Sequence, residues 1–199
     1  MRWPWLLLLV ACNAPGVTEP RPAPPAAAGC RAAGAQRELD FWLGDWEVVI
    51  RARQSPDSDE WATARGRNRI ASILGGCAVE ERFSADGPGK PWAGRSLSRW
   101  VQAERRWRQT WVDDSGSYLA FTGGMQGKDM VLLGEPSTRD GKRVQMRMIF
   151  TDIAASSLLW RWERTTDDGA TWKPMMIIEY RRARQSRPHR HQPLEGSAG

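Results

Sequence analysis

Apolar and polar residues alternate along short segments of the chain from residue 45 onward. In three of these segments every second side chain is apolar, and in a fourth two tryptophans share a face with Gln and Asp. The residues that share a face are Trp107, Gln109, Trp111 and Asp113; Val144, Met146, Met148 and Phe150; Leu158, Trp160 and Trp162; and Met176, Ile178 and Tyr180. A period of two with one apolar face is typical of strands that bury one side of a sheet.

Turn residues divide this part of the chain into ten predicted strands. The strands span residues 45–53, 61–74, 77–84, 94–102, 107–113, 118–123, 129–135, 143–151, 158–165 and 171–182. The connecting segments are rich in Gly, Asp, Ser and Pro, and none has a sustained helical period. Trp92 is expected in one of these loops. The pattern predicts a single all-β domain, an antiparallel barrel of about ten strands, preceded by a helical turn that ends at Gly44.

A sequence motif at the start of the first strand points to a family. Gly44-x-Trp46 resembles the G-x-W signature of lipocalins and their calycin relatives. The longer run DFWLGDWEV, with GGCAVEERF and RWRQTWVD downstream, resembles an uncharacterised bacterial family with a lipocalin-like barrel, the domain-of-unknown-function 1579 type. The resemblance spans residues 37–182 and implies the barrel fold. It implies no particular reaction, because one fold hosts many functions.

The resemblance also implies how one end of the barrel closes. In calycins the Trp of this motif lies across one barrel end, under an Arg from the end of the last strand. Here the last strand ends at Arg181 and Arg182. Alternation along the strand puts Arg182 on the side of Tyr180, so Arg182 is expected over Trp46, whereas a bulge would bring Arg181 there instead.

The segment before the barrel indicates export. Residues 1–12 are predicted to be a signal peptide, because Arg2 precedes an apolar run that is too short to span a bilayer. The run LVAC resembles a lipobox, which would make Cys12 a lipidated residue; ordinary secretion is the alternative. Residues 13–36 are rich in Pro and Ala and are predicted to be an extended linker. The predicted location is therefore the periplasm or cell envelope, with a lipid anchor as the contact to the membrane.

Export changes what the remaining cysteines are expected to do. Disulfides persist outside the cytoplasm, and lipidation of Cys12 would leave Cys30 and Cys77 as an even pair. A Cys30–Cys77 disulfide is therefore predicted. The alternative is two unpaired thiols, with Cys77 acting as a small buried hydrophobe.

The net charge of +6 argues against nucleic-acid binding once its distribution is considered. The segment before Arg37 carries +2 and the segment from Arg181 carries +4, so the barrel itself is neutral. A duplex-binding domain would carry a basic stripe on its folded part. Residues 183–199 are predicted to form a disordered basic tail, which is solvated or touches anionic lipid.

Histidine and cysteine usage argues against a catalytic centre inside the barrel. His189 and His191 are the only histidines and both follow the last strand, so no His-based triad or haem ligand is expected in the barrel. A single barrel cysteine cannot form a zinc site. Neighbouring carboxylates such as Glu80 and Glu81 point to opposite faces of a strand and cannot flank one substrate bond. No catalytic residue, metal or cofactor is predicted.

The candidate site is the inner face of the barrel. The residues predicted to line it are Trp107, Gln109, Trp111, Met146, Met148, Trp160, Trp162 and Tyr180. A barrel of this size can leave room for a ligand, and Trp and Met suit irregular apolar molecules. The leading hypothesis is non-catalytic binding of a small apolar or amphipathic ligand. The alternatives are a structural or protein-interaction module of the envelope with a filled core, and an enzyme that acts through carboxylates and arginines.

The lipid anchor is testable in cells. Because the anchor would be attached to the thiol of Cys12, Cys12→Ser should move the protein from the membrane fraction to the soluble fraction. Fractionation followed by intact mass measurement checks this. Wild-type protein that is wholly soluble and carries no lipid mass would contradict the lipobox hypothesis.

Overall fold

A computed structural model of the protein describes residues 34–87, 91–139 and 141–184. Two 3-10 turns, Gly34–Arg37 and Asp40–Trp42, precede the strands. The strands are β1 (Gly44–Arg53), β2 (Trp61–Ile73), β3 (Ala78–Asp86), β4 (Trp92–Val101), β5 (Arg106–Asp113), β6 (Tyr118–Gln126), β7 (Asp129–Gly134), β8 (Ser137–Arg139), β9 (Lys142–Thr151), β10 (Ser157–Thr165) and β11 (Lys173–Arg182). A third 3-10 turn, Leu74–Gly76, joins β2 to β3.

Pairing of β9 with β10 closes ten of these strands into a barrel. The order around the barrel is β10-β11-β1-β2-β3-β4-β5-β6-β7-β9, and each neighbouring pair is antiparallel. The short β8 pairs with β9 outside this ring. The prediction of an all-β antiparallel barrel of about ten strands with a short helical turn at its start is confirmed.

Two local expectations were wrong. The sequence predicted no strand at β8, because three residues of Ser, Thr and Arg show no apolar alternation. Trp92 was expected in a loop but begins β4. Its ring packs against Phe83 and Trp111, with ring centroids 4.9 and 5.8 Å apart. This aromatic packing outweighs the turn preference of the Pro and Gly residues that precede it.

The outer face of β10 holds a buried charge that alternation alone would leave in solvent. Glu163 is only 4% exposed. It accepts hydrogen bonds from Nε of Arg147 at 2.7 Å and from Nε of Arg161 at 2.8 Å. Two guanidinium groups therefore cover and neutralise this carboxylate, which accounts for its burial on a predominantly polar face.

Trp46 and Arg182 close one end of the barrel. The two residues are cross-strand partners on β1 and β11, and the Arg182 guanidinium carbon lies 3.7 Å from the centroid of the Trp46 ring. Arg182 also donates hydrogen bonds to the carbonyls of Leu43, of Phe41 at 3.1 Å and of Ala155 at 3.0 Å. Arg181 is exposed, so Arg182 is the arginine that the structure places over the indole.

The chain that enters the barrel is fixed to the same end. Trp46 is 1% exposed, and its Nε1 donates to the carbonyl oxygen of Trp42 at 2.7 Å. Gly44 has φ +119, and a Cβ atom at this position would overlap the Arg182 guanidinium. Only glycine therefore combines this backbone conformation with the approach of the arginine.

The segments that carry the predicted signal peptide, the linker up to residue 33 and the tail from residue 185 lie outside the described residues. Cys12 and Cys30 belong to them, so the lipid anchor and the disulfide stay predictions. Cys77 is half-buried and directly precedes β3. Within the described ranges, no helix has the length and apolar character needed to span a membrane.

Stability should depend on this closed end. We expect Trp46→Ala to lower the free energy of unfolding by about 3–5 kcal/mol, because a buried indole and a cation–π contact are lost together. Trp61 is a matched control: Arg53 lies 4.6 Å over its ring, but Trp61 is half-buried at the other end of β1 and β2. Trp61→Ala should cost about 1 kcal/mol or less. Equal losses for the two variants in urea denaturation would contradict the assigned role of Trp46.

Candidate functional site

A cavity of about 170 Å³ lies inside the barrel. It extends from Trp42 and Tyr180, next to the closed end, towards the opposite strand ends that carry Trp92, Asp113 and Leu119. The lining residues are Trp42, Glu81, Phe83, Trp92, Gln109, Trp111, Asp113, Leu119, Phe121, Met148, Trp160, Trp162, Met176, Ile178 and Tyr180. Most of this surface is aromatic or aliphatic, and the few polar groups come from β3, β5 and β11.

Two groups of aromatic rings form facing walls. The first joins Phe83, Trp92 and Trp111 on β3, β4 and β5, with ring centroids 4.9 to 6.0 Å apart. The second contains Trp160 and Trp162 of β10, whose rings are stacked with centroids 6.4 Å apart, together with Phe121. In the ten-strand ring β4 and β10 are five steps apart, so Trp92 and the Trp160–Trp162 pair lie on opposite sides of the barrel. Phe121 comes from β6, next to β5, and reaches Trp162 across the interior.

Gly94 and Asp113 fix the position of Trp111. A Cβ atom on residue 94 would overlap the Trp111 ring, so glycine lets the indole lie across β4. The Trp111 Nε1 donates to Asp113 Oδ2 at 2.9 Å, and the backbone amides of Ser115 and Ser117 donate to Oδ1 at 3.0 and 3.1 Å. Partial burial would raise the pKa of Asp113, but hydrogen bonds from Ser115, Trp111 and Ser117 outweigh it and hold the pKa well below its usual range.

A hydrogen-bonded polar cluster lies deeper in the barrel and is built around Glu81. Asn68 Nδ2 donates to Glu81 Oε1 at 2.7 Å and to the Tyr180 hydroxyl at 2.9 Å. Ser96 Oγ donates to Glu81 Oε2 at 2.6 Å. Gln109 Nε2 extends the cluster, lying 3.4 Å from Ser96 Oγ. All five residues are buried, so water contributes little to their solvation.

Burial dominates the electrostatics of this cluster. It raises the pKa of Glu81 to about 7, because the hydrogen bonds from Ser96 and Asn68 only partly replace the lost hydration. Burial and the Glu81 charge also raise the pKa of Tyr180 well above its usual value. Glu81 therefore changes its charge near neutral pH, whereas Tyr180 remains a neutral phenol.

Six of the eight residues predicted to line the interior do line the cavity: Gln109, Trp111, Met148, Trp160, Trp162 and Tyr180. Trp107 does not, because it lies at the closed end, 2% exposed, where its Nε1 donates to Glu38 Oε2 at 3.2 Å. Met146 does not either. Its cross-strand partner is Arg164, two positions beyond Trp162, so it lies past the end of the aromatic wall.

The most important residue that the sequence reasoning missed is Glu81. As expected for neighbours in a strand, Glu80 and Glu81 point to opposite faces, and Glu80 pairs with Arg82 on the outer surface. The signal in the sequence that indicates its position is the period-two pattern of the residues on either side of Glu81. Val79, Glu81 and Phe83 share one parity, so the carboxylate falls on the inward face. The other residues missed from the lining, such as Trp92, come together only when the barrel closes.

The site does not resemble a metal centre. Across the ranges that the structure describes, no three His, Cys, Asp or Glu side chains are grouped closely enough to hold a metal ion. The arrangement can enclose an apolar molecule and offer it hydrogen bonds and a carboxylate at one end.

Comparison with known proteins agrees with the fold. A family model described as a protein of unknown function, DUF1579, matches residues 33–182. The chain belongs to this family. No curated protein matches the sequence.

Solved structures share the barrel but little of the sequence. Rv2717c from M. tuberculosis is 15% identical with a TM-score of 0.54, and the match covers 76% of this chain and 99% of that protein. The S-type phycobiliprotein lyase CPES from Guillardia theta is 8% identical with a TM-score of 0.51, covering 78% and 96%. At these identities the likeness supports the fold of this DUF1579 protein and says nothing about its ligand.

The burial of Glu81 makes stability depend on pH. The carboxyl binds its proton more tightly in the folded protein (pKa about 7) than in the unfolded chain, where the ordinary value of 4.5 applies. Its contribution is therefore most favourable below pH 4.5 and is lost as the pH rises towards and beyond 7, by roughly 3 kcal/mol in total. The Glu81→Gln variant has no titratable group at this position, so its stability should lack this contribution to the pH dependence. Urea denaturation between pH 4 and 8 should show the stability of wild type falling relative to Glu81→Gln, and parallel profiles would contradict the raised pKa.

Proposed function

We propose that this protein binds a small apolar or amphipathic molecule inside its barrel and does not transform it. The observation that carries the proposal is the cavity, in which two aromatic walls face each other and the Glu81 cluster supplies the polar end. Small-molecule sites in proteins commonly combine a mostly apolar concave surface with a few convergent polar groups.

The size of the cavity limits the ligand. An apolar cavity of roughly 150 Å³ is large enough to bind benzene, so about 170 Å³ suits one ring or a short branched chain. A longer molecule would extend between Trp92 and Leu119 at the open end. A filled core, the main alternative, would bring the two aromatic walls into contact and leave no such space.

We also propose that the barrel is held at the cell envelope. The chain enters the barrel at the end closed by Trp46 and Arg182. A linker from a lipidated Cys12 would therefore leave the open end facing away from the membrane, where a ligand can reach it.

Ligand binding can be tested with a matched pair of variants. Met176→Trp places bulk inside the cavity, whereas Leu97→Trp adds the same indole to an exposed position on β4. Native mass spectrometry of protein purified from its own host should show a small-molecule adduct on wild type and Leu97→Trp, and about tenfold less on Met176→Trp. Absence of any adduct, or equal adducts on both variants, would contradict an interior ligand.

A second candidate function is general acid–base catalysis by Glu81. The observation that favours it is a carboxyl with a pKa of about 7 that lines a cavity, which suits proton transfer at neutral pH. The small-molecule adduct seen by native mass spectrometry also distinguishes binding from catalysis. A bound molecule whose mass or proton-exchange pattern changes with time on wild type but not on Glu81→Gln would indicate turnover.

A further inference from the structure

The charges that face the cavity are of one sign. Glu81 and Asp113 contribute carboxylates, and among the described lining residues there is no Lys, Arg or His. Asp113 lies near the open end of the cavity and Glu81 lies deeper. Carboxylates are therefore present both at the entrance and in the interior of the cavity. Within this lining an anionic ligand would be repelled, whereas a cation would be attracted.

The groups that contact Glu81 have already used their donors. Both hydrogens of the Asn68 amide are used, one by Glu81 and one by Tyr180, and Asn68 Oδ1 has no partner among the described residues. Gln109 directs its amide nitrogen to Ser98 at 2.9 Å and towards Ser96. The carbonyl oxygens of the two amides and the carboxylate keep free accepting capacity, and the Tyr180 hydroxyl and Trp42 Nε1 are the donors left beside them.

Glu81 is also without a cationic partner in the part of the chain that the structure describes. Its hydrogen bonds come from the neutral side chains of Asn68 and Ser96. Glu163 shows the contrast: it is equally buried, but two arginines contact it. A buried carboxylate normally requires such a countercharge. At Glu81 the accessible direction for one is the cavity that it lines.

The aromatic walls suit the same kind of ligand. The indoles of Trp92, Trp111, Trp160 and Trp162 surround the space, and the negative faces of aromatic rings attract cations most strongly when water is excluded. Sites lined by aromatic rings recognise quaternary and protonated amines in other proteins.

We infer that the ligand is a small organic cation, a protonated or quaternary amine with a compact apolar body, whose charge lies between the aromatic walls and the Glu81 carboxylate. This inference rests on the proposed function and specifies its ligand class. Glu81 acts as the residue that selects charge, and the tryptophans hold the body of the molecule. Tyr180 remains neutral and Asp113 ionised near neutral pH, so Glu81 is the titrating group that the ligand meets.

Two probes of equal shape test the charge. Phenyltrimethylammonium and tert-butylbenzene differ by one nitrogen and one positive charge. At pH 8 we expect the cation to bind wild type at least about tenfold more tightly than the neutral probe, measured by tryptophan fluorescence or ligand-observed NMR. Lowering the pH to 5.5 should weaken the binding of the cation by about tenfold, because Glu81 takes up its proton. The affinity of the neutral probe should not change.

Variants of β3 supply the control. Glu81→Gln should weaken the binding of the cationic probe by about tenfold and make that binding independent of pH. Glu80→Gln, which changes the neighbouring outward-facing carboxylate, should bind both probes as wild type does. Equal affinities for the two probes, with no effect of pH or of Glu81→Gln, would overturn the inference that the ligand is a cation. The proposed function, binding of a small molecule in the cavity, would still stand. Failure of both probes to bind wild type would overturn the cavity as a ligand site. The pH series on wild type does not depend on the variant folding.

Discussion

The contact between the Arg182 guanidinium and the Trp46 indole is the interaction on which the rest of the barrel depends. It joins the first and last strands of the chain, and its hydrogen bonds reach the entering turn at Phe41 and Leu43 and the β9–β10 connection at Ala155. A cation–π contact contributes roughly 0.5–2 kcal/mol, depending on its exposure, and the same guanidinium satisfies carbonyl oxygens of the entering turn. One side chain thus ties together three segments that are far apart in sequence.

Closing one end in this way decides where a cavity can exist. Leu39, Trp42 and Trp46 are each 1% exposed and fill the barrel beneath the entering turn. Trp46 packs edge-on against Tyr180, with ring centroids 5.7 Å apart, and is the cross-strand neighbour of Asn68. The closed end therefore also orients two members of the Glu81 cluster. The unfilled space is left towards the opposite end, where the Trp92 and Trp160 walls stand apart across the ring.

The two buried glutamates show how the same residue type serves different ends. Glu163 is neutralised by Arg147 and Arg161 and stabilises the outer surface of β9 and β10. Among the described residues, the donors to Glu81 are the neutral side chains of Asn68 and Ser96, and its pKa is raised because they replace water incompletely. Such an uncompensated group costs stability, and in a cavity it is typical of binding and catalytic sites rather than of packing alone.

The sequence by itself determined the barrel and its ends. Period-two alternation in segments such as Leu158 to Trp162 identified strands, because the pleat sends successive side chains to opposite faces. The resemblance of the G-x-W motif to calycins implied the contact at the closed end, and the parity of Arg182 with Tyr180 along the last strand indicated which arginine makes it. Tertiary structure alone decided which inward residues surround empty space. Trp107 and Trp111 share a face, yet one fills the closed end and the other lines the cavity, because position along the barrel axis depends on the stagger of all ten strands. The charge environment of Glu81 also required the fold, since Asn68 and Ser96 donate to it from two other strands and Tyr180 joins through Asn68 from a third. That no arginine or lysine contacts it, within the described ranges, is likewise a property of the assembled interior.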